Sequence, residues 1–136
     1  MKEVMYKDCN NNAGFLRGLF IQIRALSDAE LNWRISGLEF IPVDHGDFIG
    51  GVPDGEMKKI YDFQKRILDE YTITVTHSAF MELLRNIRTV YEGRFETLIG
   101  EKQFKVKVFD GDIIEIDGER EKEINIWIQR LDHYWE

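Results

Sequence analysis

The 136-residue sequence predicts an α+β domain, with a small antiparallel sheet that includes a C-terminal β-meander and two main helices packed on one face. Three observations lead there. Two long segments, residues 56–71 and 78–92, repeat apolar residues at steps of three and four, the period of an amphipathic helix. Phe104, Val106 and Val108 alternate with Lys105 and Lys107, the period of a half-buried strand. Asp110-Gly111 then stands between two apolar runs. Both residues accept positive φ, so the pair marks a tight hairpin.

In chain order, residues 13–36 allow two readings. Phe15, Leu16, Leu19, Phe20, Ile23 and Leu26 fit one helix face, while Leu19, Ile21 and Ile23 also fit one face of a strand. Ser27 and Glu30 have the spacing of a capping box, with Leu26 and Leu31 as its hydrophobic staple. This predicts a short helix from Asp28 to about Ser36, ended by Gly37. Leu38 to Val43 reads as a strand, and Pro42 argues for an edge position because it cannot donate to a ladder. Residues 44–55 form a glycine-rich surface loop bracketed by the only two prolines, Pro42 and Pro53.

The first long helix is expected at 56–71, with Asp54 as its N-cap and Met57, Ile60, Tyr61, Ile67, Leu68 and Tyr71 on its apolar face. Tyr71 to Thr76 is β-branched and alternating, a short strand or an extended linker. The second helix is expected at 78–92, capped by Thr76 or Ser78. Its stripe is Phe80, Leu83, Leu84, Ile87, Val90 and Tyr91, and Gly93 stands at its end. Arg94 to Ile99 suggests a further strand. Ile114 and Ile116 continue the hairpin, and Asp117-Gly118 offers a second turn. Ile124, Ile126 and Ile128 alternate with Asn125, Trp127 and Gln129 as a last strand.

Composition bounds the function. The length suits one domain, residues 1–136, and 43% apolar residues suffice for a core without staples. The 25 Asp and Glu against 18 Lys and Arg give a formal charge of −7. Long-range attraction to nucleic acid or to an anionic membrane is thereby disfavoured, and attraction to a basic protein surface is favoured. The lone Cys9 makes no intrachain disulfide and fits a reducing, cytoplasmic setting. The polar start, Met1-Lys2-Glu3, does not read as a signal peptide, and no apolar run approaches the ~20 residues a bilayer needs.

Few residues point to chemistry. Asp44-His45-Gly46-Asp47 sets an imidazole between two carboxylates in a glycine-rich loop. Carboxylates orient a histidine for general-base work, and the same groups are metal donors, but the ligand count for a metal site is not met. His77, at a helix start, is expected to stay neutral or turn to solvent, since a cation there opposes the helix dipole. His133 lies in the chain's last few residues. No nucleophile elbow, phosphate loop or dinucleotide fingerprint is present. No catalytic residue, metal or cofactor is therefore assigned.

The most unusual composition is the acidic stretch from Asp110 to Glu123. Asp110 and Asp112 fall at the hairpin tip, where their charge is expected to project into water, and Glu115 and Asp117 follow. Such a surface captures basic partners, and it also guards a sheet edge against self-pairing. Trp33, Trp127, Tyr134 and Trp135 are candidate anchors, and Trp127 is available only if its side of the sheet is uncovered. The expected partner-binding set is Asp110, Asp112, Glu115, Asp117 and Trp127, facing a basic protein.

In size, charge and lack of a catalytic motif the chain resembles small acidic bacterial immunity or inhibitor proteins, which neutralise a toxin by binding it. The resemblance carries no residue assignments. Two alternatives stand beside it: a small metal-dependent or histidine-based hydrolase using Asp44, His45 and Asp47, and a self-associating structural or phage-type component that uses a sheet edge. The oligomeric state stays open.

Overall fold

The computed structural model describes residues 2–6, 10–43 and 55–131. Its elements run β1 (Lys2–Met5), α1 (Ala13–Ala25), β2 (Asn32–Pro42), α2 (Gly55–Glu70), β3 (Thr72–Thr76), α3 (His77–Leu84), β4 (Ile87–Ile99), β5 (Lys102–Phe109), β6 (Ile113–Asp117) and α4 (Glu121–Leu131). The strands form one six-stranded sheet in the order β1-β6-β5-β4-β2-β3, with every pairing antiparallel. The α+β class and the C-terminal meander, β4-β5-β6, are as the sequence predicts.

Both hairpins of the meander turn on left-handed residues. Asp110 and Gly111 have φ of 54° and 77°, and Asp112 N donates to Phe109 O, so the Asp-Gly signal is realised. Gly100 and Glu101 have φ of 54° and 73° and join β4 to β5. Gly118 needs its missing side chain for another reason: a Cβ there would stand 2.3 Å from the Phe104 ring. Beyond it the chain enters α4 rather than another strand.

The core lies on one face of the sheet. Ile73, Ile35, Phe95, Val106 and Ile116 are cross-strand neighbours along a single buried row. Leu16, Leu19, Phe20 and Ile23 of α1 close over it, so the helical reading of residues 13–25 holds. Phe20 packs on Trp33, Phe80 and Phe95 with ring centroids 4.9–5.2 Å apart. Phe63 of α2 meets Phe40 of β2. Asn12 ties the N-terminal end of α1 to β4. Its buried amide donates to Val90 O and Gly111 O, and its carbonyl accepts from Val90 N. This one side chain thus hydrogen-bonds β4 where β5 pairing has stopped at Gly93.

Four expected elements are corrected. The helix expected at 78–92 stops at Leu84, and Ile87, Val90, Tyr91 and Gly93 belong to β4. The β-branched and aromatic run from Ile87 pairs with β2, and a register shift between Glu39 and Phe40 leaves consecutive residues Thr89 and Val90 buried. That break in alternation imitates a helical stripe.

The helix expected from Asp28 is β2 instead. Ser27 closes a local turn with Ala29, while the Glu30 carboxylate accepts from Ser78 N and Oγ, on the first turn of α3. Pro42 is not on an edge strand. It is the last residue of β2, beyond the part that β3 pairs, so a central strand tolerates it there. The strand expected at 124–128 is α4. Ile124 and Ile128 are buried one turn apart, and Ile126 is 51% exposed. Glu121 and Glu123 in the first turn and Arg130 in the last suit the helix dipole.

Candidate functional site

Among the described residues the face of the sheet opposite the helices is open, and the strand register orders its side chains into rows. One row runs Thr74, Arg34, Glu96, Lys105, Asp117. The next runs Thr72, Ser36, Arg94, Lys107, Glu115, Glu3. A third, at the Asp110 end, holds Phe109, Ile113 and Met5. Met5 is 66% exposed and Phe109 37%.

Charge alternates along the first row and is segregated along the second. Glu3 stands directly opposite Glu115 at the β1–β6 edge, and Arg94 directly opposite Lys107 between β4 and β5. Like charges facing each other across a ladder oppose folding, so pattern optimisation for stability alone would remove both pairs. A polar groove of about 360 Å³ lies over the second pair, lined by Arg34, Ser36, Tyr71, Thr72, Arg94 and Lys107 among others.

The expected partner-binding residues fall in several environments. Asp110 is exposed at the tip, its N–H given to Glu92 Oε1. Glu115 is half-buried between Glu3 and Lys107. Asp117 is exposed and pairs across from Lys105. Asp112 does not project freely into water. It is half-buried, its Oδ1 is shielded without a hydrogen-bond partner among the described residues, and its carbonyl accepts from Tyr6 N at 2.7 Å.

Farther along the stretch, Glu119 meets Lys102 at 3.5 Å and Glu123 meets Arg120 at 2.8 Å. The stretch is therefore interleaved with cations, Arg120 from within it and Lys102, Lys105 and Lys107 from β5.

Trp127 leaves this face altogether. On α4 it is half-buried and stacks on Phe15 at 5.8 Å, close over Gly18 of α1, where an added Cβ would meet the indole at 3.1 Å. Trp33 is fully buried and donates from Nε1 to Nδ1 of His77 at 3.0 Å. His77 itself is buried, and burial holds its pKa below the usual histidine value. Arg24 acts in the same sense and Glu30 against it. With Nδ1 accepting, the neutral ring carries its proton on Nε2, so His77 is a core hydrogen-bond acceptor.

Asp44, His45 and Asp47 lie outside the described residues, as do Cys9, His133, Tyr134 and Trp135. Among the described residues no group of three or more His, Cys, Asp or Glu is placed to hold a metal ion, and no helix is long and apolar enough to cross a membrane.

Sequence reasoning misses Glu3, Met5, Phe109, Arg34, Arg94 and Lys107. Their grouping depends on register, which joins residues far apart in the chain. The sole local hint is that Phe109, Ile113 and Met5 each fall out of phase with the buried positions of their strands.

No family model matches this chain, and neither a curated protein nor a solved structure matches it.

Proposed function

We propose that this chain is a small cytoplasmic protein-binding domain of the immunity or inhibitor type, which neutralises a partner by docking the acidic end of its open sheet face onto a basic protein surface. The observation that carries this reading is the like-charged Glu3–Glu115 pair at the sheet edge, with Lys107 only on its inner side, beside the row of exposed Met5, half-buried Ile113 and exposed Phe109. An exposed apolar row supplies contact area that water exclusion rewards, and the acids around it select the sign of the partner. Asp110 extends the acidic rim at the tip. The net charge of −7 adds long-range attraction for a cationic partner over nucleic acid or an anionic membrane.

The test is capture from the native host's lysate at low and high salt, run in parallel with wild type and with a Glu3→Gln/Asp110→Asn/Glu115→Gln variant. Asn at position 110 preserves the left-handed turn. One stoichiometric basic protein, held by wild type at low salt and weakened in the variant, is the expected result. Equal capture by both proteins, or none by either, would contradict the reading.

A further inference from the structure

We infer that the groove over β2, β4 and β5 is a binding site for a phosphate-bearing small molecule. The argument starts from charge. In a chain of net charge −7, the second open-face row sets Arg94 directly against Lys107, with Arg34 one register step away across from Glu96.

These cations are poorly neutralised. Among the described residues Arg34 and Lys107 form no ion pair within 4.0 Å, and Arg94 has only a long 3.9 Å contact with Glu96, whose other oxygen is held by Gln103. Glu92 also lines the groove, its Oε1 accepting the Asp110 N–H, and Glu115 stands across from Lys107, so these two carboxylates offset part but not all of the positive charge.

Three cations facing one groove lower the free energy of a multiply charged anion, and arginine's planar fork fits phosphate oxygens two at a time. Hydroxyls complete the donor set: Thr72 Oγ1 donates to Ser36 Oγ at 3.2 Å, which leaves the Ser36 hydroxyl hydrogen available to a ligand.

Tyr71 forms one wall. It is 67% exposed and holds a left-handed φ of 62° at the end of α2, where glycine is the usual occupant. An exposed aromatic kept in a disfavoured backbone conformation beside cations offers a stacking surface for a ring carried by the ligand. The groove adjoins the acidic docking end, sharing Phe109 with its apolar row and setting Lys107 across from Glu115, but its donors are none of Glu3, Asp110 or Glu115.

The test is an amide NMR titration of the whole protein with pyrophosphate and with adenosine monophosphate at matched ionic strength. Saturable shifts centred on residues 34, 94 and 107 are expected. A groove that reads phosphate alone binds pyrophosphate at least as well, and one that uses the Tyr71 wall binds the nucleotide more tightly; both results support the site. The Arg94→Gln/Lys107→Gln variant should bind about tenfold or more weakly for each cation removed. Its amide spectrum should keep the wild-type dispersion, so that weak binding does not reflect misfolding. Absence of saturable shifts with both ligands at millimolar concentration, or unchanged affinity in the variant, would overturn the inference.

Discussion

Two buried polar side chains govern much of the molecule's response to mutation and pH. Asn12 makes three buried hydrogen bonds to backbone groups of β4 and of the β5–β6 turn. Asn12→Ala strands those groups away from water, at ~1–3 kcal/mol for an unsatisfied buried group and more where several are stranded together. A loss of at least about 3 kcal/mol in urea unfolding is the expected outcome. Nothing in Asn10-Asn11-Asn12 distinguishes the third asparagine, because its partners lie 78 and 99 residues away.

His77 gives the pH dependence. Its folded pKa is lowered from 6.5, so the fold favours the neutral ring. The associated stability is complete above about 6.5 and declines as the pH falls through that value toward the lowered folded pKa. Thermal melts of wild type and His77→Gln across this window should converge on the acid side. Parallel curves at every pH would contradict the assignment. The sequence reading has His77 neutral or turned to solvent because of the helix dipole; the ring is instead buried, and burial is the leading cause of its lowered pKa.

At the scale of the element, α4 is the sharpest departure from the sequence. The run Ile124, Ile126, Ile128 satisfies a period of two, yet only its first and last members are buried. A strand would bury all three alike, while a helix separates them. Ile126→Lys should change stability by no more than about 0.5 kcal/mol. Ile128→Ala should cost ~2–4 kcal/mol. Equal costs in equilibrium denaturation would restore the strand. The acidic first turn and basic last turn were the legible signal, and an alternation of only three isoleucines outweighed it.

The opposite departure is at residues 87–91, where a shifted register leaves the neighbours Thr89 and Val90 both buried and breaks the alternation of a strand. β5 and the Asp110-Gly111 turn, whose local pattern agrees with their tertiary surroundings, are read correctly; α2 is read as a helix but buries Ile60, Phe63 and Ile67 while the expected Tyr61, Leu68 and Tyr71 are exposed, and residues 72–76, open between strand and linker, form β3.

For the whole molecule, fold class was legible because it depends on local periods and turn residues. The site was legible only as an excess of acid near Asp110. Which acids stand together, and that cations of β5 separate some of them, follows from register, and register is set by long-range packing. Trp127 lies at a helix interface and not on a sheet face because its segment is α4 and not a strand.

The resulting open face has an acidic, apolar end and a cationic middle, two surfaces with opposite preferences on one sheet. Asp8, Asp44, Asp47, Asp54, Asp132 and Glu136, against Lys7 alone, lie outside the described residues, so much of the formal charge of −7 belongs to residues other than those of this face.

The central claim is that the acidic end captures a basic protein, and the most direct measurement is the association rate of the captured partner, purified, with wild type and with the Glu3→Gln/Asp110→Asn/Glu115→Gln variant over a range of salt. The account predicts a wild-type rate that falls steeply as salt rises, and a variant rate that is lower at low salt and nearly flat. Identical rates and identical salt dependence in the two proteins would contradict it.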